Sequence, residues 1–154
     1  MVKTQQIGYS SSMKVCTHRG LLIAVLTRNE HCPPHVHVGT NDWNARFEFS
    51  FWHNGVRLWD VMPTQESPAV VMLEEIRQVI RRAENLHRAR QLWWQSRQTL
   101  CLDHLLWDTA AQAVVIPKDG RPGTVQIVSG RFDAVQNMTV LHLAGAPLPL
   151  EIQL

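Results

Sequence analysis

Ala45-Arg46-Phe47-Glu48-Phe49-Ser50-Phe51 alternates apolar and polar side chains without interruption. A period of two belongs to a strand with one face on a core, because successive side chains of an extended chain leave opposite sides. The stretch predicts a half-buried strand with its phenylalanines turned inward. Working backward, Gly39 to Asn44 reads as a turn and His35-Val36-His37-Val38 as the strand before it. Pro33 and Pro34 make a rigid entry to that strand, since each fixes its own φ and disfavours helix in the residue it follows. Leu21 to Leu26, an apolar run between Gly20 and Arg28-Asn29-Glu30, predicts a strand buried on both faces, with another around Val15. Working forward, His53-Asn54-Gly55 predicts a type I′ hairpin turn returning the chain as a strand over 56–61. Residues 21–61 therefore read as an antiparallel meander, and the polar residues 1–12 as a loosely attached end.

The period changes after Met62-Pro63. Ser67-Pro68 predicts a helix start, serine as N-cap and proline in the first turn. Met72, Ile76, Val79, Ala83, Leu86 and Trp93 then recur at threes and fours, a stripe that Leu73, Ile80 and Trp94 widen. The spacing runs on to Leu100 and Trp107, and a break near Ser96 is the expected division. Beyond Ala111 the texture is that of strands: 113–116, a turn over 118–123, then 124–128 and 137–143. The two prolines of 147–154 fit an edge strand or a docked tail. The expected fold class is α+β: an antiparallel sheet packed by one long amphipathic helix, with a C-terminal β-strand extension. A single domain is expected over 1–154, with a ββββα core over 13–97 and a β-rich extension over 98–154.

A chain of 154 residues, 45% hydrophobic and 18% charged, has the make-up of one globular core. Its formal net charge of +2 argues against a field directed at nucleic acid or an anionic membrane. Cys16, Cys32 and Cys101 are odd in number and widely spaced, which predicts neither a disulfide framework nor a zinc ribbon. Reduced thiols, no signal-peptide pattern and no apolar run near the ~18 residues of a membrane span predict a cytoplasmic protein with no membrane partner.

The chemically suggestive feature is His31-Cys32-Pro33-Pro34-His35-Val36-His37. Residues two apart on a strand share a face, so His35 and His37 project together and His31 can fold back across the prolines. Three imidazoles and an open position suit a divalent transition metal such as Zn or Fe, and metal-bound water would then be a nucleophile near neutral pH. Asp42, Glu48, His53 or Asp60 is available to complete such a site. The same histidines also suit a structural role, bonding backbone carbonyls and packing on Trp43, Trp52 or Trp59. Gly39 occupies the third alternating position, so the pattern departs from that of the histidine-triad nucleotide hydrolases.

These residues, the strand pair to Val61 and the helix ending at Trp93-Trp94 resemble the bacterial domain-of-unknown-function 4160 family over roughly 13–97. The resemblance implies a small α+β protein of toxin-antitoxin-like type, without implying an activity. Arg77, Arg81 and Arg88 lie near one helix face, with Trp93 and Trp94 farther along it. Arginine and tryptophan together are common interface anchors, so this helix is a candidate surface for a protein partner or a homodimer, and for nucleic acid through its charge. The first expectation is therefore a partner-binding or regulatory protein. The second is a metal-dependent hydrolase acting on a phosphodiester or nucleotide through His31, His35 and His37, and the third is a nucleic-acid-binding module.

Overall fold

The computed structural model describes residues 12–28 and 30–154; the loose end expected over 1–12 lies outside them except for Ser12, which is instead the first residue of a strand, paired with Leu26. The first half is β1 (Ser12–His18), β2 (Leu21–Leu26), β3 (His35–Gly39), β4 (Trp43–Glu48) and β5 (Arg57–Pro63), followed by α1 (Val70–Arg81) and α2 (Ala83–Arg97). The second half is β6 (Leu106–Asp108), β7 (Ala113–Val115), a 3-10 turn at Pro117–Asp119, β8 (Thr124–Asp133), β9 (Met138–Leu143) and β10 (Leu150–Gln153). Among the described residues the protein is α+β, with two antiparallel sheets and two helices.

The first sheet is a meander in the order β1-β2-β3-β4-β5. Its β1–β2 turn is Arg19-Gly20, with φ of 48° and 78° between the paired His18 and Leu21. Two left-handed residues give the twist a tight hairpin needs, and glycine takes that φ without a Cβ clash. The turn expected at Asn54-Gly55 is not of this kind, since Gly55 has no positive φ. Residues 49–56 instead form a wide connection that buries Phe49 and Phe51 beyond the end of β4. Arg90 of α2 fastens it: Nε donates to the Ser50 carbonyl (2.8 Å), and Nη2 to the His53 carbonyl (2.8 Å) and Asn54 Oδ1 (2.9 Å).

The expected long helix is two helices, divided at Arg82 rather than near Ser96. Arg82 is extended (φ −58°, ψ 139°), and the Val79 carbonyl at the break accepts from the Arg82 backbone N–H (3.3 Å) and from Asn85 Nδ2 (2.7 Å). Across this break the apolar stripe loses one member. Ile76, Val79 and Ile80 are buried on α1 and Leu86, Ala89, Leu92 and Trp93 on α2, while Ala83 is exposed. The start differs as well: α1 begins at Val70 with Ala69 in the N-cap position and no side-chain cap, so Ser67-Pro68 precedes the helix. No described helix is long and apolar enough to cross a membrane.

The C-terminal strands form a sheet of their own, in the order β10-β9-β8-β6-β7, with β10 at the edge. β6, which the spacing of apolar residues does not mark, pairs through Trp107 with Val114 on one side and Val125 on the other. Phe132 of β8 meets Phe51 edge-on at 5.3 Å, and Trp107 meets Trp52 at 6.5 Å. Ile127, Phe132 and Leu141 thereby join the phenylalanines and helix residues of the first half in one buried cluster.

Candidate metal centre

β3 carries the centre because its alternation sends Val36 and Val38 to the apolar core and His35 and His37 to the other face. Glu30, in the connection from β2, places its carboxylate against both rings. Oε1 lies 2.9 Å from His37 Nε2, and Oε2 is in contact with His35 Nε2. One ligand atom from each of the three side chains lies within 4.8 Å of the other two. The group is buried: side-chain exposure is 7% for Glu30, 2% for His35 and 12% for His37.

The tautomer of His35 is set by its surroundings. Its Nδ1 is 2.7 Å from the Pro33 carbonyl, which only accepts, so Nδ1–H is the donor. In the neutral ring Nε2 is then a bare lone pair pointing at a carboxylate, and its contact there has no hydrogen-bond geometry. That contact is favourable only if the ring is protonated or a cation lies between the two groups. Burial works to raise the Glu30 pKa, but the contacts and charge of His35 and His37 prevail and hold it at about 2. Glu30 is therefore a carboxylate, enclosed with two imidazoles.

Aromatic and charged groups surround the three. Trp59 meets His35 edge-on at 5.0 Å and Trp93 packs against it at 5.4 Å. A bulge in the β4–β5 ladder, between Arg46 and Phe47, leaves Trp59 between the paired Leu58 and Asp60, and Arg46 stacks on its ring at 3.9 Å. Arg46 pairs in register with His37 on one side and Asp60 on the other, and Nε donates to Asp60 Oδ1 (2.8 Å). That bond, against the opposing effect of burial, holds the Asp60 carboxyl below its ordinary range. The main-chain carbonyl of Glu30 accepts from Arg97 Nη2 at the end of α2.

The expected ligand set is altered in one member. His35 and His37 converge, whereas His31 is exposed and lies outside the group, and Glu30 stands where the third histidine was expected. The reason is the proline turn, which carries the chain from residue 31 into β3 with only Glu30 directed back at the rings. Asp42, Glu48, His53 and Asp60 are likewise not among the converging ligands. Glu30 was legible only as a polar residue bounding a strand, since nothing in its spacing from His35 marks a ligand.

The candidate partner surface is thinner than the sequence suggests. Trp93 is 1% exposed and donates Nε1–H to the Thr99 carbonyl (3.1 Å). Arg77 is held by Glu74 (2.8 Å) and the Val56 carbonyl (3.2 Å), and Arg88 reaches the Lys14 carbonyl (3.3 Å). Arg81 is exposed and Trp94 half-buried.

The cysteine expectation is corrected outright. Cys32 and Cys101 form a disulfide across 69 residues of sequence, their Cα atoms 5.6 Å apart, and Cys16 is free. Spacing did not reveal the pair, because the two meet only after α2 has returned the chain to the β2–β3 connection. The cytoplasmic placement, which leaned on three reduced thiols, loses that support. Compared with models of protein families, with curated proteins and with solved structures, the chain finds no match.

Proposed function

We propose that Glu30, His35 and His37 bind one divalent transition metal ion and that the centre is hydrolytic. The observation that carries this reading is the buried convergence of two imidazoles on one carboxylate, with His35 Nε2 facing that carboxylate as a lone pair. Two histidines and a glutamate are a known catalytic zinc set, and two histidines and a carboxylate also suit non-haem iron(II). The Nδ1–H bond of His35 to a backbone carbonyl is the outer contact that metal-bound histidines ordinarily make. Ligands at ~2.1 Å in a tetrahedron stand about 3.4 Å apart, so a retreat of the Glu30 carboxylate by about 1 Å admits the ion.

His37 is the most exposed of the three ligands, so the open coordination position belongs on its side. Water bound there would have its pKa lowered toward ~7 and would attack an electrophilic carbonyl or phosphoryl centre. Ligation requires neutral imidazoles and an ionised carboxylate, so affinity falls in acid.

The deciding experiment is elemental analysis of protein purified without a histidine tag, beside the variants Glu30→Gln and His37→Ala. The expected result is about one metal ion per chain in the parent and little in either variant, both still folded by circular dichroism. Replacing the ion with cobalt(II) then reports the ligand field, and a panel of carboxylic and phosphoric esters reports hydrolysis. A parent that takes up none of zinc, iron(II), manganese or nickel would retire the proposal.

A further inference from the structure

The metal ligands sit at the two ends of one short connection, Glu30 before it and His35 and His37 after it, and Cys32 lies between them. The C-terminal end of α2 and the segment just beyond it hold this connection at three points. The Trp93 ring packs on His35, Arg97 binds the Glu30 carbonyl, and Cys101 is bonded to Cys32. The first two contacts are noncovalent and buried or half-buried, whereas the third is covalent and opens to solvent, because Cys32 is exposed. A bond placed there is accessible to small thiols without unfolding the core.

We propose that the Cys32–Cys101 disulfide is a reversible redox clasp on the metal centre, oxidised for tight binding and reduced for release. This inference rests on the metal-centre reading, and its chemistry is ordinary thiol–disulfide exchange. A small dithiol supplies the reductant: one thiolate attacks a disulfide sulfur, forming a mixed disulfide and freeing the other cysteine as a thiolate, which takes up a proton. The second thiol of the dithiol, losing its proton, displaces the remaining cysteine. The protein gains two electrons and two protons as two thiols, and the dithiol leaves as a cyclic disulfide; the reverse exchange restores the clasp. Cys16 takes no part, being separate in the fold and unpaired.

Opening the clasp leaves Glu30 tethered by Arg97 and His35 by its packing, but frees the residues between them. The ligands then have to be ordered again each time a metal binds. Loss of an outer contact that positions metal ligands typically costs 10–100-fold in affinity. The effect expected here is at the lower end, about tenfold, because two of the three restraints remain.

The test is zinc affinity, by competition with a chromophoric chelator, for oxidised protein, for protein reduced and then freed of reductant under anaerobic conditions, and for Cys32→Ser/Cys101→Ser. Amide hydrogen exchange over residues 30–37 is measured on the same three samples. Expected are binding weaker by about tenfold in both unclasped forms and faster exchange of this segment. Equal or tighter binding in a folded, unclasped protein overturns the proposal whatever the exchange shows. If the double variant fails to fold, the reduced parent decides. If the oxidised parent binds none of zinc, iron(II), manganese or nickel, the metal-centre reading fails on its own, and the clasp stands or falls by whether reduction speeds exchange of the His35 and His37 amides.

Discussion

Two buried charged sites, Arg90 and the group of Glu30, His35 and His37, put charge in the core for opposite ends. Arg90 is 1% exposed with no carboxylate among its hydrogen-bond partners, and it spends its guanidinium on the Ser50 and His53 carbonyls and Asn54 Oδ1. Desolvation lowers its pKa to about 10, still well above neutral pH, so it remains a cation. Glu30, His35 and His37 are buried almost as deeply, yet their ligand atoms converge on one another and His35 Nε2 makes no hydrogen bond. A buried charge whose donors are used on backbone carbonyls is a fastener. A buried carboxylate with two imidazole nitrogens turned toward it, one of them without a hydrogen bond, is an arrangement that can hold a cation.

The contrast between the two sites is broken most decisively at the fastener. Arg90→Met leaves two carbonyls and an amide oxygen without their partner in the 49–56 connection, and a cost of about 3 kcal/mol or more is expected in urea unfolding. Metal bound per folded chain should be unchanged; loss of metal in a folded Arg90 variant would show that the two sites are one system. His37→Ala is the reverse experiment. It should weaken zinc binding by about 100-fold or more while shifting the metal-free urea midpoint much less than Arg90→Met does. A metal-free destabilisation as large as that of Arg90→Met would instead mark the histidine cluster as a fastener too.

A subtler separation uses pH. Desolvation, then the charge of Arg90, lowers the His53 pKa below 6.5, against a smaller opposing effect of Glu48. His53 Nδ1 accepts the Gly55 N–H (2.9 Å), so the folded connection uses the neutral ring. Because the unfolded chain takes up this proton at higher pH than the folded one, the contribution is whole above about 6.5. It is lost as the pH falls from there through the folded value. The destabilisation caused by His53→Ala should therefore be larger at pH 7.5 than at pH 5.5, and an equal loss at both would show that the imidazole carries none of it. The smallest effect belongs to Arg81, exposed on α1, where Arg81→Ala should change stability by no more than about 0.5 kcal/mol and leave metal binding untouched. A larger loss would return the helix surface to consideration.

The alternation of 45–51 was legible because burial of one face imposes a period of two, and Ala45, Phe47, Phe49 and Phe51 are all buried as it requires. The helical stripe was legible as well, but not its division. The apolar spacing continues across Arg82, and at the break the Val79 carbonyl takes the Arg82 N–H and the Asn85 side chain as donors. Asn54-Gly55 had the composition of a tight turn, yet Arg90 from a distant helix holds that connection open. Short β6 had too few residues to show a period and exists only as the partner of β7 and β8.

Half of the candidate centre was likewise visible. His35 and His37 share a face by the geometry of any strand, so their convergence is a consequence of local sequence. Glu30, Arg97 and Cys101 could not be connected to them by spacing, since the first lies across a proline turn, the second at the end of α2 and the third just beyond it. The sequence by itself determined the meander, the helical register on either side of Arg82 and the pairing of two imidazoles, because each rests on the repeat of an extended or helical backbone. Only the tertiary structure decided which carboxylate meets those imidazoles and which cysteines are joined. Both depend on where the end of α2 comes to rest against the β2–β3 connection, a contact between segments about seventy residues apart that no local period encodes.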